Sequence, residues 1–132
     1  MSPSPAVPAV LIVDEDVGFV WWLGEIFHDL GCRAVPALSC QDAISIAKTA
    51  NLAPDLIIVN PVLPGVAGMI KALRRGHSAK IVAIQERRAS RGIDPEAHAV
   101  LERPMAGEPI RRSHWIRIVR GLLAQIGTRA AC

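Results

Sequence analysis

The sequence predicts an α/β protein with a doubly wound, five-stranded parallel sheet and helices on both of its faces. Three observations support this fold class. Short apolar runs alternate with stretches of helical periodicity through five successive units. The strongest runs, "AVLIVD" and "DLIIVN", are apolar at every position except their ends, as expected of strands buried on both faces. The 132 residues show no internal repeat and no second domain, and this length is ordinary for one domain.

Five strands are predicted, at residues 9–14, 32–37, 55–60, 80–85 and 98–104. The second is the weakest of them because it contains Pro36, which has no backbone N–H and is tolerated mainly in edge strands. Since a helical stretch separates consecutive strands, the connections should be right-handed crossovers between parallel strands.

Helices are predicted at residues 16–31, 39–50, 66–76 and 107–127. Gly31 is a natural stop for the first helix, and Ser39, with Asp42 three residues later, is a good N-cap for the second. Pro109 is expected in the first turn of the last helix. The polar segment 86–97 predicts only a short or irregular helix.

The chain divides into one domain and two short tails. Residues 1–8 are rich in proline and serine and predict a disordered tail; residues 9–127 form the domain, and residues 128–132 a C-terminal tail. No apolar run approaches the roughly 18 residues of a membrane span, and the start of the chain lacks the features of a signal peptide. We therefore expect a cytoplasmic protein with no membrane association.

The net charge of +3 conceals two halves of opposite sign. Residues 1–70 carry two basic and seven acidic side chains, a net charge of −5, whereas residues 71–132 carry thirteen basic and five acidic ones, a net charge of +8. A basic surface that binds nucleic acid is one interpretation of the second half. A solvated basic face is the interpretation we favour, because no helix-turn-helix and no alternation of aromatic and basic residues accompanies the charge.

The cysteines argue against a disulfide scaffold or a zinc site. Cys32, Cys40 and Cys132 are odd in number and form no C-x-x-C pair. Small buried thiols are the simpler interpretation of the first two.

Polar side chains stand where four of the predicted strands end. They are Asp14 and Glu15 after the first strand, Asn60 after the third, Gln85 after the fourth and Arg103 after the fifth. In open parallel sheets, ligands bind at the carboxyl ends of the strands. We therefore expect these side chains to form one pocket.

At these positions the chain resembles the response regulator receiver domains. "LIVDED" resembles their first strand and acidic pair, "PDLIIVNPVLPGVAG" their third strand and the loop after it, and "LERP" the end of their fifth strand. The resemblance covers about residues 9–127. It implies a flavodoxin-like sheet with strand order 2-1-3-4-5 and a non-enzymatic role in two-component signal transduction.

The resemblance also assigns roles to the pocket. In the family, an acidic pair binds Mg²⁺, an aspartate after the third strand accepts a phosphoryl group, and a Thr or Ser and a Lys then bind the phosphate. The acidic pair corresponds to Asp14 and Glu15, but the acceptor is replaced by Asn60, the Thr or Ser by Gln85 and the Lys by Arg103. The family's frequent cis bond before the following proline would fall at Arg103-Pro104.

These replacements predict a pocket that has lost its phosphorylation chemistry and has no catalytic residue. The carboxamide of Asn60 carries no negative charge and is a poor nucleophile. Pro61, which lacks a backbone N–H, blocks the usual deamidation of Asn60 to Asp. Gln85 could hydrogen-bond to Asn60, and the guanidinium of Arg103 suits a carboxylate partner.

A cofactor is not expected. Asp14 and Glu15 pair with Arg103 and stay free of metal in the interpretation we favour. The alternative is a weak magnesium site formed by the same two carboxylates, since a unit of negative charge is lost at residue 60.

The first helix predicts a partner surface. Its core stripe is made of Phe19, Trp22, Leu23, Ile26, Phe27 and Leu30. A second apolar stripe contains Val17, Val20 and Trp21, where a surface helix would ordinarily be charged. Partial burial of this stripe against the N-terminal tail is the simpler explanation; a binding site for a protein partner is the functional one.

We therefore expect a stand-alone, atypical receiver domain that is not phosphorylated and acts through protein–protein interaction. Its partner would be a histidine kinase, another regulator or a second copy of the chain. One alternative is a receiver with residual phosphate or magnesium chemistry, and the other is a basic regulator that binds nucleic acid.

Overall fold

The computed structural model describes residues 7–74, 78–86, 99–104, 108 and 110–126. In chain order its elements are β1 (Ala9–Val13), α1 (Val17–Asp29), β2 (Arg33–Ala37), α2 (Cys40–Thr49), β3 (Leu56–Val59), α3 (Val66–Leu73), β4 (Lys80–Glu86), β5 (Ala99–Arg103) and α4 (Arg112–Ala124).

The strands form one parallel sheet in the order β2-β1-β3-β4-β5, which confirms the predicted fold class and strand order. Alternate residues of each central strand serve two separate cores. In β1, Leu11 and Val13 pack with α2 and α3, whereas Val10 and Ile12 pack with α1 and α4. Strands covered on both faces must be apolar throughout, and this explains the uninterrupted apolar runs of the sequence.

Local sequence signals set the ends of the first two helices, and the predicted signals among them are Gly31 and Ser39. Asp16 is the N-cap of α1 and accepts the Phe19 backbone N–H at 3.1 Å. Ser39 caps α2 by accepting the Asp42 backbone N–H at 3.0 Å. Gly31 follows α1 at φ +88°, a left-handed conformation that glycine adopts without strain.

Pro36 lies in the edge strand β2, opposite Ile12 of β1, as its missing N–H predicted. Arg33 donates its backbone N–H to Pro8, and Ala37 accepts the backbone N–H of Asp14. Because alternate residues of a parallel strand bond to the same neighbour, Pro36 turns its nitrogen toward the free edge of the sheet. The proline therefore costs no hydrogen bond of the sheet.

Several predicted boundaries were wrong. The last helix begins at Arg112, five residues later than predicted, because Arg111 is still extended at φ −97° and ψ 110°. Pro109, which was expected in the first turn of this helix, lies outside the described residues. No cis peptide bond occurs among the described residues, so the bond between Arg103 and Pro104 is trans. The described part of α3 ends at Leu73, and residues 87–98 and most of both predicted tails lie outside the described residues.

Candidate functional site

The polar residues predicted to meet at the carboxyl edge of the sheet do so only in part. Asp14 and Asn60 directly follow the neighbouring strands β1 and β3. The backbone hydrogen bonds continue one step past both strands, because Asp14 donates its N–H to Ala37 and Asn60 donates its N–H to Val13. The backbones of both residues are therefore held as firmly as the strands themselves.

The side chains of Asp14 and Asn60 form the centre of the site. Asp14 is 0% exposed and Asn60 is 8% exposed. The Asn60 Nδ2 group donates to Asp14 Oδ1 at 3.2 Å, and the same oxygen accepts the Glu15 backbone N–H at 2.8 Å. Asn60 Oδ1 accepts the Val62 backbone N–H at 3.1 Å. The amide thus works as a donor toward the buried carboxylate and as an acceptor that closes the turn after β3.

Arg103, the last residue of β5, points its guanidinium at two carboxylates. Its Nη2 lies 3.5 Å from Asp14 Oδ2, and its Nη1 lies 3.6 Å from Asp16 Oδ2. Both distances exceed that of a good hydrogen bond, and neither Asp14 Oδ2 nor Arg103 Nε has a hydrogen-bond partner among the described residues. Arg103 therefore compensates the buried charge through space rather than through a bidentate bond.

Two of the predicted site residues do not join this cluster. Glu15 is exposed, and the second carboxylate facing Arg103 comes from Asp16 instead. The sequence interpretation missed Asp16, although an aspartate directly before a helix is the usual signal of an N-cap. Gln85 is half-buried, and no hydrogen bond joins it to Asn60 in the described structure. The expected bond between these two amides is wrong, because Asp14 and the Val62 backbone bind both ends of Asn60.

The predicted partner surface on α1 is smaller than expected. Trp21 is 61% exposed and Val17 is 48% exposed, but Val20 is 0% exposed. The prediction that Val20 lies on the surface was wrong. Because α1 packs closely on the sheet, its buried stripe is wider than the stripe predicted from the spacing of its apolar residues. Trp22, predicted for the core, is only half-buried. We call Val17 and Trp21 the α1 patch.

A groove of about 310 Å³ lies beside the α1 patch, between α1 and the edge strand β2. Trp21, Gly24, Ala34 and Pro36 give it apolar walls, and Val20 underlies it. Glu25, His28 and Asp29 add polar groups.

The basic residues of the last helix are exposed, as expected for a solvated face. They are Arg111, Arg112, Arg117 and Arg120. Arg112 forms an ion pair with Asp29 of α1. This pair neutralises one charge of the basic face and one acidic group beside the groove.

Comparison with solved structures identifies the fold. A CheY-like receiver domain from Methylobacillus flagellatus superposes with a TM-score of 0.68 at 20% identity, over 92% of this chain and 100% of that one. A response regulator receiver protein from Burkholderia phymatum gives a TM-score of 0.66 at 20% identity, over 89% of this chain and 95% of that one. This chain has the receiver-domain fold.

The receiver fold also occurs within longer proteins. NtrX from Brucella abortus gives a TM-score of 0.70 at 17% identity over 92% of this chain, which corresponds to 28% of NtrX. No family model matches the sequence, and no curated protein matches it. These comparisons therefore detect the similarity to receiver domains from the structure.

The receiver fold places Asn60 at the end of its third strand and Arg103 at the end of its fifth, the positions that the resemblance assigned to the acceptor aspartate and the lysine. Together with Asp14, these two side chains form one pocket at the carboxyl edge of the sheet. Its central group is the Asn60 amide, whose nitrogen and oxygen are both hydrogen-bonded. Its cation is the planar guanidinium of Arg103, where a lysine would supply a compact ammonium group.

The side chains around Asp14 do not fit the magnesium ion that the fold family implies. Asp14 Oδ2 faces Arg103 at 3.5 Å, so a positive charge already lies beside this oxygen. Glu15 is exposed, and the Asn60 carbonyl oxygen accepts the Val62 N–H. Within the described ranges, no group of three or more His, Cys, Asp and Glu side chains is arranged to hold a metal.

Helices long and apolar enough to cross a membrane are also absent from the part of the chain that the structure describes.

Proposed function

We propose that this chain is an atypical receiver domain of two-component signal transduction that is not phosphorylated at residue 60 and acts by binding another protein. The receiver fold supports the signalling role. The observation that carries the finer proposal is the state of the Asn60 side chain, whose amide donates to Asp14 and accepts from Val62. It presents a neutral, hydrogen-bonded group where an acceptor would need an anionic oxygen.

Incubation with acetyl phosphate and Mg²⁺, followed by intact-mass measurement, tests the loss of phosphorylation. We expect no added phosphoryl group on the wild-type protein. A phosphoryl group on the wild type at any residue would support the alternative of residual phosphate chemistry, and one mapped to residue 60 would overturn this part of the proposal.

Asn60→Asp is the matched control for the phosphorylation experiment. It restores the carboxylate but keeps Gln85 and Arg103, so we expect it to gain little phosphorylation. Rapid and complete phosphorylation of this variant would mean that Asn60 alone silences the pocket. A variant that also carries Gln85→Thr and Arg103→Lys shows whether the surrounding residues account for the remaining loss.

The α1 patch is the contact surface we propose for the protein partner. Trp21 and Val17 expose apolar area on a helix whose opposite side is fully packed. Exposed tryptophans surrounded by apolar residues are frequent anchors of protein interfaces. A histidine kinase, another regulator and a second copy of this chain are the candidate partners.

Light scattering over a range of concentrations tests the last of these partners directly. Trp21→Glu places a charge in the centre of the α1 patch, and Ile110→Glu changes an exposed apolar residue next to α4 as the control. If the α1 patch joins two copies, the wild type and Ile110→Glu dimerise and Trp21→Glu stays monomeric. A monomeric wild type would leave a different protein as the partner, and equal dimerisation of all three would exclude the patch.

The exposed arginines of α4 favour one alternative, a basic regulator that binds nucleic acid. Fluorescence anisotropy with duplex DNA at low and moderate salt distinguishes it. Tight binding that weakens steeply with salt, and that is lost on Arg117→Glu/Arg120→Glu, would support the alternative. We expect only weak binding without sequence preference.

A further inference from the structure

Asp14 needs a compensating positive charge. Its carboxylate is completely buried, and an ionised carboxylate loses most of its hydration when it leaves water. Two hydrogen bonds reach Oδ1, from the Asn60 amide and the Glu15 backbone. Oδ2 has no hydrogen bond within the described part of the chain and faces Arg103 Nη2 at 3.5 Å. Arg103 is therefore the positive charge that faces the carboxylate oxygen left without a hydrogen bond.

Arg103 spans two carboxylates with two different nitrogens. Nη2 faces Asp14, and Nη1 faces Asp16 at 3.6 Å. The guanidinium thus lies between two anionic groups that approach each other from the end of β1 and the start of α1. Two carboxylates converging on one cation is an arrangement that hard divalent metal ions also adopt.

The contribution of Arg103 is mainly its charge. Distances of 3.5 and 3.6 Å are too long for strong hydrogen bonds, and Nε has no hydrogen-bond partner in the ranges that the structure describes. If directional hydrogen bonding were its role, the planar fork would be expected to form a bidentate bond with one carboxylate. The geometry instead resembles that of a cation held between two anions.

We infer that Arg103 is a permanent, built-in cation that takes the electrostatic place of a divalent metal between Asp14 and Asp16. The guanidinium thereby offsets the charge of one of the two carboxylates without a metal ion, and the chain reaches its folded state without magnesium. This inference goes beyond the proposed function, because it concerns the cation of the pocket and holds whether or not residue 60 accepts phosphate.

Magnesium titrations without any phosphodonor test the inference. The thermal unfolding midpoint is followed in MgCl₂ and in NaCl of matched ionic strength. For the wild type, we expect the two salts to act alike. For Arg103→Gln, which removes the charge and leaves a shorter polar side chain, Mg²⁺ should raise the midpoint at concentrations at least about tenfold lower than any that affect the wild type.

Two further variants identify the cause of a magnesium response. Arg103→Lys keeps a positive charge and should respond like the wild type. Asp14→Asn/Arg103→Gln removes the buried carboxylate as well and should lose the response gained by Arg103→Gln. This pattern would show that the positive charge at residue 103 prevents magnesium binding. It would also show that Asp14 binds the magnesium when that charge is removed.

The inference fails if Mg²⁺ stabilises the wild type as strongly as it stabilises Arg103→Gln, or if folded Arg103→Gln shows no response specific to Mg²⁺. If Arg103→Gln does not fold in metal-free buffer, the same titration becomes a refolding assay followed by circular dichroism. Recovery of the fold with Mg²⁺, but not with NaCl, supports the inference. Absence of recovery contradicts it.

Discussion

The side chain of Asn60 donates a hydrogen bond to the fully buried carboxylate of Asp14 across the neighbouring strands β3 and β1. This bond makes the amide part of the support for a buried charge, and the Asn60 carbonyl oxygen at the same time holds the Val62 backbone. Both polar atoms of the Asn60 side chain are therefore hydrogen-bonded within the pocket.

Substitutions of Asn60 should therefore lower stability. Asn60→Ala removes a donor to Asp14 and the acceptor for the Val62 N–H, and we expect it to lower the free energy of unfolding by about 1–3 kcal/mol. Asn60→Asp should cost at least as much, because it sets a second carboxylate beside Asp14. Urea denaturation followed by circular dichroism measures both. Gln85→Ala, which removes a half-buried amide with no described hydrogen bond to the pocket, is the control and should have a smaller effect.

Asp16 should contribute to the free energy of unfolding through two separable interactions, the N-cap of α1 and the ion pair with Arg103. Asp16→Asn keeps an oxygen for the cap and removes the charge, so we expect a loss below about 1 kcal/mol. Asp16→Ala removes both and should cost about 1–2 kcal/mol. Denaturation of the two variants under the same conditions gives the difference. Equal losses would mean that the cap contributes nothing.

Trp115 joins α4 to α1 and should be one of the most sensitive positions of the core. Its ring meets those of Phe19 and Trp22 edge to face, with centroids 5.9 and 5.2 Å apart. We expect Trp115→Ala to cost about 3–5 kcal/mol and Trp115→Phe clearly less. Trp21→Ala is the matched tryptophan control and should change stability by no more than about 0.5 kcal/mol, because Trp21 is largely exposed.

Cys32 and Cys40 should be unreactive in the folded chain. Burial raises the pKa of both thiols above the ordinary value of 9.0, and the nearby Asp55 carboxylate raises that of Cys32 further. In a Cys132→Ser background, a thiol reagent at pH 8 should label the native protein far more slowly than the protein unfolded in guanidinium chloride. Rapid labelling of the native protein would contradict the described packing.

The same two thiols predict a loss of stability at alkaline pH. Their pKa values are higher in the folded than in the unfolded chain, so their contribution is fully present below the unfolded value near 9.0 and is lost as the pH rises above it. Cys32→Ala/Cys40→Ala should therefore lose less free energy of unfolding than the wild type between pH 8 and pH 10. Denaturation curves at both pH values test this difference, and parallel losses in the two proteins would refute it.

The parallel sheet could be predicted from regular patterns, whereas its strand order was implied by the resemblance to receiver domains. Apolar runs of strand length mark the buried strands, and the polar residues at their ends match the receiver motifs. Gly31, Ser39 and Pro36 were also interpreted correctly, since each acts through its own backbone or a neighbour close in sequence.

The errors concern side chains whose environment depends on distant parts of the chain. The spacing of apolar residues along α1 does not show how closely the helix packs on the sheet. Val20 was therefore predicted to lie on the surface and Trp22 in the core. The identity of the second carboxylate at Arg103 depends on the turn between β1 and α1, which directs Glu15 to solvent and Asp16 toward β5. Spacing along the chain carries no information about that direction.

Pro36 has a consequence for how copies of this chain can assemble. An outer strand with all of its amide protons available is a template on which another chain can extend the sheet, and this route leads to aggregation as readily as to ordered dimers. At Pro36 the edge strand β2 has no backbone N–H that it could donate to another strand. Lateral growth of the sheet is disfavoured at this side, and any specific association there has to be made by side chains of the neighbouring helix.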